Sequence, residues 1–305
     1  GAGLDYSRNN LLVYAGGCKR WNSDISNTYN SVLDLSAGEN LAVTAKTEET
    51  ADMGTADTLS EFINYCTENY PARHYGLVLW DHGAGPLWGY GSDELFGNDS
   101  LQFGELRQAM DASPFGPGGS ARLDWVGFDA CLMGNLETAI AVEPYADYLI
   151  ASEETEPGTG WYYTNWLSKL SSNTSMPTVE IGKNIADDFV STCSAKTPKQ
   201  IATLSVIDLA EIEGILPSAL TAFSNATNEL IDTDYRSVAI ARKGSREFAS
   251  ESYLDMVDLV DLASKIDTPE ATRLCQTLMS AIKYNNTSRG ISNAYGLSIF
   301  FPYRS

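Results

Sequence analysis

One histidine and one cysteine in this sequence have the types and the setting required for nucleophilic catalysis. His82 follows the apolar run 77–80, and Cys131 follows the apolar run 125–128, 49 residues after His82. A cysteine thiolate is a strong nucleophile, and a nearby histidine can protonate the amine that leaves in an acyl transfer. The pair therefore indicates a thiol nucleophile assisted by an imidazole acid and base.

Both residues are expected at the carboxyl ends of buried parallel strands, where ligands bind in an open sheet. Gly83 directly follows His82 and lets the backbone approach a substrate closely. Cys131 precedes a helical pattern that starts at Leu136. The positive end of a helix and an adjacent imidazole both lower a cysteine pKa, so we expect a reactive thiolate at position 131.

The apolar pattern predicts the elements that position these residues. Short apolar runs without period-2 alternation predict buried strands at 11–15, 41–44, 77–80, 125–128, 148–151, 203–207 and 298–301. Helical spacing predicts helices at 59–70, 103–110, 136–146, 162–170 and 179–193, and Thr58 and Glu61 form a capping box for the first. Strands that alternate with helices predict an α/β fold with a mostly parallel sheet covered by helices on both faces.

We expect one domain over residues 1–305, because 305 residues at 43% hydrophobic content can fill a large core. Its catalytic α/β core would span 1–207, followed by a mostly helical subdomain at 208–290 and a returning strand of the core at 291–305. The Gly- and Pro-rich loop 113–120 is expected to be exposed and mobile.

Composition excludes several classes of function. Forty acidic residues against twenty basic ones give a net charge of −20, which repels nucleic acid and anionic membranes. No apolar run approaches the length of about 18 residues that a membrane helix requires. Five dispersed cysteines and two histidines indicate neither a disulfide framework nor a zinc site. No signal segment opens the chain, so its compartment cannot be inferred from its first residues.

Three segments, in this order and spacing, resemble those of the clostripain family of cysteine endopeptidases. They are Trp80-Asp-His-Gly83, Phe128-Asp-Ala-Cys-Leu-Met-Gly134 and Ala151-Ser-Glu-Glu-Thr-Glu-Pro-Gly-Thr-Gly-Trp161, and the resemblance extends from Leu11 to about Pro302. That family shares the caspase-like fold with caspases, gingipains and legumain, and it cleaves after Arg or Lys. The resemblance therefore implies a caspase-like α/β fold and an endopeptidase that acts on proteins or peptides with a basic P1 residue.

The resemblance also implies a role for each residue at the two strand ends. Cys131 would be the nucleophile and His82 the general acid and base, with the backbone N–H groups of Gly83 and Cys131 forming the oxyanion hole. Asp129 matches the acidic residue that lines the family's specificity pocket. Strand alternation independently places its side chain on the side of Cys131. A carboxylate there would pair with a guanidinium or ammonium group.

The loop that follows position 151 would form the other wall of the pocket. The resemblance implies Glu153, Glu154 and Trp161 as further substrate-binding residues. Which of the acids at 153, 154 and 156 reaches the substrate stays open. Asp129 itself has a structural alternative, because an aspartate at this place can cap a turn or accept backbone hydrogen bonds.

Members of the family are often cut by themselves after a basic residue between the catalytic histidine and cysteine. Arg107 and Arg122 are the candidates in this interval, and Arg122 is favoured because it adjoins the loop 113–120. No cofactor is expected to be required. Calcium stays optional, because calcium dependence occurs in the family but the sequence contains no D-x-D-x-D-G loop.

The resemblance further implies a bacterial protein that is secreted, periplasmic or exposed at the cell surface, and we expect a monomer. Two other functions stay open. One is a silent or latent homologue that binds peptides without cutting them. The other is a caspase-like peptidase with a different P1 preference, although Asp129 disfavours an acidic P1 residue.

Overall fold

The structure is a computed structural model that describes residues 4–35 and 42–302. Its strands are β1 (Leu12–Ala15), β2 (Ser31–Asp34), β3 (Ala42–Lys46), β4 (Gly76–Trp80), β5 (Tyr90–Asp93), β6 (Asp99–Leu101), β7 (Leu123–Asp129), β8 (Ala146–Ala151), β9 (Thr203–Asp208), β10 (Glu247–Phe248), β11 (Met256–Asp258), β12 (Ile282–Thr287) and β13 (Ser298–Phe300). Its helices are α1 (Ala56–Asn69), α2 (Gly85–Trp88), α3 (Phe103–Asp111), α4 (Leu136–Val142), α5 (Tyr163–Ser172), α6 (Thr178–Lys196), α7 (Leu209–Gly214), α8 (Leu216–Gly244), α9 (Leu259–Ser264) and α10 (Pro269–Ala281).

Five strands form the central sheet, in the order β12-β9-β8-β7-β4. β4, β7 and β8 pair in parallel, whereas β9 is antiparallel to both of its neighbours. Four of the five strands therefore point in one direction, which confirms the α/β class with a mostly parallel sheet. This arrangement places the ends of β4 and β7 side by side.

Helices cover both faces of this sheet because successive strand residues face opposite sides. In β7, Val126 and Phe128 pack into one apolar cluster with residues of α1, α3 and α4. Trp125 faces the other side, where it packs with residues of α5 and α6. Within the described ranges, no helix is both long enough and apolar enough to cross a membrane.

The N-terminal strands lie outside the central sheet. β1, β2 and β3 form a separate antiparallel sheet, and β2 is a strand that the apolar pattern missed. Of the run predicted at 41–44, Leu41 lies outside the described residues and the rest falls in β3, which is partly exposed. The first helix begins three residues earlier than predicted, because the Oγ1 of Thr55 accepts the N–H of Thr58 at 3.4 Å and caps it.

The C-terminal part also departs from the expected order. β13 covers the returning strand expected within 291–305, but it pairs with β11 in a small antiparallel sheet. The strand that returns to the central sheet is β12, on the edge beside β9. Its sequence, IKYNNT, is polar because it lies at the edge of the sheet, so the search for apolar runs did not find it.

Candidate active site

The ends of β4 and β7 meet next to the two residues singled out for catalysis. Trp80 pairs with Asp129 in the parallel register, so His82 and Cys131 follow neighbouring strand ends. A Cβ atom built on Gly83 would lie 2.2 Å from the carbonyl oxygen of Cys131. The backbones therefore approach so closely that only glycine fits after the histidine.

The backbone of His82 is held firmly, while the residue itself is exposed. Its N–H donates to Oδ1 of Asp81 at 2.6 Å, and its carbonyl oxygen accepts the N–H of Gly91 at 2.8 Å. Oδ2 of the same aspartate accepts the N–H of Ser92 at 3.1 Å. Asp81 thus structures the turn that presents the imidazole.

The N–H of Gly83 takes no part in the hydrogen bonds of the β-bridge around it. Gly83 forms an isolated antiparallel bridge with Tyr90, and the two hydrogen bonds of that bridge use the carbonyl of His82 and the N–H of Ala84. This geometry is compatible with the expected oxyanion donor at Gly83, which stays a prediction. Such donors act when they point at the developing oxyanion.

Cys131 is half-buried in a tight turn between β7 and α4. The next residue, Leu132, has a left-handed backbone (φ 62°), and its N–H donates to the carbonyl of Glu154 at 3.2 Å. The Sγ atom of Cys131 accepts the N–H of Glu156 at 3.2 Å and lies 3.8 Å from the carbonyl oxygen of that residue. The loop after β8 thus contacts the thiol directly.

Burial raises the pKa of the Cys131 thiol, and the negative charges of Glu154 and Asp129 add to this. The backbone N–H of Glu156 acts in the opposite direction but does not outweigh burial. The expectation of a lowered thiol pKa from the following helix therefore does not hold in this structure. α4 begins five residues later, at Leu136, and its first turn is capped by the side chain of Asn135.

Asp129 is buried beneath the loop, with only 4% of its surface exposed. Both carboxylate oxygens accept the N–H of Trp161 at 3.1 Å, and Oδ2 also accepts the hydroxyl of Tyr163 at 2.9 Å. Burial raises the pKa of this carboxyl despite these donors. Asp129 therefore does accept a backbone hydrogen bond, which was its structural alternative. It also lies at the end of β7, beside the turn that contains Cys131.

Gly160 leaves room next to the Asp129 carboxylate. Its φ is +59°, and a Cβ built on it would lie 3.1 Å from both Asp129 oxygens and 3.0 Å from Nε1 of Trp80. The indole of Trp80 is 60% exposed at this place. The Asp129 carboxylate is therefore bordered by the aromatic ring of Trp80 and the bare backbone of Gly160.

Glu156 is the acid of the loop whose carboxyl interacts with Asp129, and which of the three loop acids reaches the substrate stays open. Burial and the negative charge of the neighbouring Asp129 raise the pKa of the Glu156 carboxyl well above its ordinary value. Oε1 of Glu156 also lies 3.4 Å from Nε1 of Trp161. Neighbouring buried carboxyls oppose each other's ionisation.

The side chains of Glu153 and Glu154 turn instead toward the C-terminal part of the chain. Oε2 of Glu153 accepts the N–H of Gly296 at 2.8 Å, and Oε1 of Glu154 accepts the N–H of Ala249 at 3.1 Å. Both hydrogen bonds attach the loop after β8 to the C-terminal part of the chain. A substrate-binding role for these two acids and for Trp161, whose ring is buried in the core beside α5, stays a prediction.

Glu153 forms a second acidic pair, with Asp258. Burial raises the pKa of the Asp258 carboxyl from 3.8 to about 6, and burial and the charge of Asp258 raise the Glu153 pKa well above its ordinary value. Both groups bind protons more tightly in the folded chain than in the unfolded chain. The free energy of unfolding should therefore fall as the pH rises from about 4 through about 6 and beyond.

Glu153→Gln should flatten this pH dependence, because a glutamine can still accept the N–H of Gly296 and donate to Asp258 without titrating. We expect the fall in thermal midpoint between about pH 5 and about pH 8 to shrink by about 2–4 °C. Differential scanning calorimetry at several pH values measures it. Glu229→Gln, at an exposed position on α8, is the control, and equal slopes in all three proteins would contradict the prediction.

The hairpin of β10 and β11 forms a wall beside Cys131. Cys131 packs against a small apolar cluster that includes Leu132, Phe248 and Met256. The loop between the two strands contains three non-glycine residues with left-handed backbones, at positions 249, 253 and 255. Such strained backbones occur where the surrounding structure holds them in place.

The buried guanidinium of Arg242 holds this hairpin. It donates to the carboxylates of Glu247 and Asp255, each at 2.9 Å, and to the carbonyl of Phe301 at 2.8 Å. The side chain is 4% exposed, so these charge-assisted bonds are shielded from water. The wall beside Cys131 is therefore anchored to α8 and to the segment after β13.

The two arginines considered for self-cleavage occupy different settings. The guanidinium of Arg122 donates to the Asp147 carboxylate at 2.6 Å and to the carbonyls of Glu143 and Pro144 at 2.8 Å. The peptide bond that follows it enters β7. Arg107 lies on the exposed side of α3. Cleavage at either residue stays a prediction.

The described residues contain no group of three or more His, Cys, Asp or Glu side chains arranged to hold a metal ion. A role for calcium stays a prediction.

A thiol and an imidazole at neighbouring strand ends of this sheet define the class of caspase-like cysteine peptidases. A comparison with family models gives the same assignment, since the clostripain family model matches residues 4–298. The chain belongs to the clostripain family.

One curated relative and two solved structures illustrate the similarity. Clostripain of Hathewaya histolytica is 30% identical over an alignment of 148 residues. The alignment covers 43% of this chain and 26% of that protein, so it spans about a quarter of the relative's length. A secreted C11 cysteine protease from Bacteroides thetaiotaomicron, in complex with an irreversible peptide inhibitor, has a TM-score of 0.71 at 20% identity and covers 99% of this chain and 85% of its own. An inactive zymogen C11 protease from Parabacteroides distasonis has a TM-score of 0.71 at 22% identity and covers 96% and 81%. The two structures support the fold.

Proposed function

We propose that this protein is a cysteine endopeptidase that cleaves peptide bonds after Arg or Lys through a Cys131–His82 dyad. The observation that carries the proposal is the contact between the two strand ends. The close approach of Gly83 to the carbonyl of Cys131 supports the proposal that the residue before Gly83 acts together with the thiol. Family membership supports the same chemistry.

The proposed reaction begins with transfer of the Cys131 thiol proton to His82. The thiolate attacks the scissile carbonyl carbon, and the N–H groups of Gly83 and Cys131 stabilise the oxyanion. The protonated His82 then gives its proton to the departing amine, which leaves a thioester on Cys131. Water, deprotonated by His82, hydrolyses this thioester and restores the thiol.

Asp129 is proposed to select the basic P1 side chain. It is the acidic group at the end of the strand that carries the nucleophile, and the bare backbone of Gly160 adjoins it. A carboxylate in a buried setting pairs strongly with a guanidinium or ammonium group. Its three hydrogen bonds from Trp161 and Tyr163 hold it in position.

Asp129→Asn should lower kcat/KM for Arg and Lys peptides by about 30-fold or more, because removing one partner of a buried charge pair costs at least about 2 kcal/mol. Hydrolysis of matched fluorogenic peptides with Arg, Lys, Asp or Asn at P1, under reducing conditions with and without calcium, measures the effect. Asp232→Asn, at an exposed position on α8, is the matched control and should leave kcat/KM within about twofold.

The same panel separates the other functions. Preferred cleavage after Asp or Asn would favour a caspase-like peptidase of different specificity. Peptides that bind but stay intact, with both whole and self-cut chain, would favour a silent homologue. The zymogen from Parabacteroides distasonis motivates testing both forms. Self-cleavage after Arg122 or Arg107 and a monomeric state belong to the same proposal. So does secretion, which is the property described for the Bacteroides protein.

A further inference from the structure

A cavity of about 290 Å³ lies between α8, α9 and the end of β13. Its walls are mostly apolar and include Phe223 of α8, Leu262 of α9 and Ile299 of β13. Ile231, which also lines it, is exposed, so the cavity opens to solvent. None of its lining residues belongs to the candidate active site, so it is a separate feature of the chain.

The cavity and Cys131 lie on opposite sides of the small sheet formed by β10, β11 and β13. Ile299 and Phe301 line the cavity, whereas Phe300 between them packs against the apolar cluster that Cys131 also contacts. Successive residues of an extended chain face opposite sides, so this sheet separates the cavity from the thiol. A ligand in the cavity would therefore not occupy the place of a peptide substrate.

Three polar residues of α8 line the cavity. Ser224, Thr227 and Asn228 are three or four positions apart, so they share one face of the helix. Ser224 and Asn228 are exposed, whereas Thr227 is only 4% exposed. The Oγ1 atom of Thr227 is buried and has no hydrogen-bond partner in the described part of the chain. A ligand with a polar atom at this place would supply the bond that the hydroxyl lacks.

The lining also defines the charge and the size of a suitable ligand. Its residues in the described ranges carry no charged side chain, so a charged ligand would bury an unpaired charge. An apolar protein cavity of about 150 Å³ holds one benzene molecule. A cavity of about 290 Å³ therefore suits a ligand of roughly ten non-hydrogen atoms.

We propose that this cavity is a binding site for a small neutral molecule that has an apolar body and one hydroxyl group. The apolar body would contact the walls formed by α8, α9 and β13, and the hydroxyl would pair with Oγ1 of Thr227. Alkylphenols and medium-chain alcohols have this chemistry. The inference does not depend on the proposed function, because no lining residue takes part in the proposed reaction.

Isothermal titration calorimetry of the full chain with p-propylphenol tests the proposal. This probe has a neutral apolar body and one hydroxyl group, and we expect a Kd of about 0.1 mM. Propylbenzene, which lacks the hydroxyl, should bind about tenfold more weakly, because Oγ1 of Thr227 then stays unpartnered. The anion p-propylbenzoate should show no saturable binding.

Two variants locate the site. Thr227→Val keeps the shape of the side chain and removes the hydroxyl, so it should weaken binding of p-propylphenol about tenfold and leave that of propylbenzene unchanged. Ser224→Trp should abolish binding of both, because the new ring fills the cavity from its exposed rim. Ser218→Trp is the matched control, since it makes the same change at an exposed position of α8 that does not line the cavity.

Each contrary result would overturn the proposal. Absence of saturable p-propylphenol binding to the unmodified chain would refute the site. Undiminished binding in Ser224→Trp would place the ligand elsewhere, and unchanged binding in Thr227→Val would remove the role of the hydroxyl. Equal affinity for p-propylbenzoate would refute the neutral class of ligand. Thermal midpoints near that of the unmodified chain show that the variants are folded, and no peptidase assay enters these results.

Discussion

Cys131→Ala should reduce hydrolysis of Arg and Lys peptides by at least about a thousandfold. Removing a nucleophile takes away the covalent route and leaves only the catalysis that comes from binding and from oxyanion donors. The side chain is half-buried and small, so the loss of one sulfur atom should leave the fold intact. Steady-state kinetics on a P1-Arg peptide, beside a thermal melt, separate activity from stability.

Cys18→Ala is the matched control, because Cys18 is also a half-buried free thiol that follows a strand of the N-terminal sheet. It should keep activity within about twofold. If Cys131→Ala retained most of the activity of the unmodified chain, another group would have to be the nucleophile. The assignment of the nucleophile to the residue that follows the end of β7 would then be wrong.

Gly83→Ala should lower kcat/KM by about a hundredfold. Its Cβ would meet the carbonyl oxygen of Cys131 at 2.2 Å, Cγ of Met133 at 3.0 Å and Cβ of Ala130 at 3.2 Å. The first of these is a backbone atom, so one strand end must move away from the other. A displacement of about 1 Å between reacting groups can cost this much in rate. The extra methyl should also lower stability by about 1–3 kcal/mol.

Gly158→Ala provides the comparison, since a Cβ at that exposed position of the loop would meet nothing within 4 Å. It should change kcat/KM by no more than about twofold and stability by no more than about 0.5 kcal/mol. Both variants make the same Gly→Ala change, and only the one at position 83 places the new methyl group against neighbouring atoms. Full activity in Gly83→Ala would show that the two strand ends do not have to meet as closely as they do here.

The catalytic candidates were accessible from sequence because they follow buried parallel strands. β4, β7 and β8 were predicted within two residues of their observed ends, since buried parallel strands appear as uninterrupted apolar runs. His82 and Cys131 then follow from the rule that ligands bind at the carboxyl ends. The helices α3 and α5 were likewise found within about two residues, because their apolar spacing is regular.

Other features depend on long-range contacts that no local pattern records. β12 is a polar edge strand, and its place beside β9 is decided by tertiary packing. Glu156, and neither of the other two loop acids, interacts with Asp129 because of the path that the loop after β8 takes. The hydrogen bond from the Trp161 N–H to Asp129 helps to fix that path. The pKa of Cys131 was misjudged for a related reason, because burial by distant segments outweighs the local helix.

The parallel register of β4 against β7 has a consequence for how a newly made chain behaves. β4 and β7 are joined by a long connection. Pairing them closes a large loop, and the chain loses conformational entropy before the contacts between the strands can compensate. The hairpin of β10 and β11 that flanks Cys131 is more distant still along the chain. His82 and Cys131 are therefore brought to neighbouring strand ends only once β4 and β7 have paired. Unfolded copies, whose peptide bonds are the most accessible, have no assembled pair with which to cut one another.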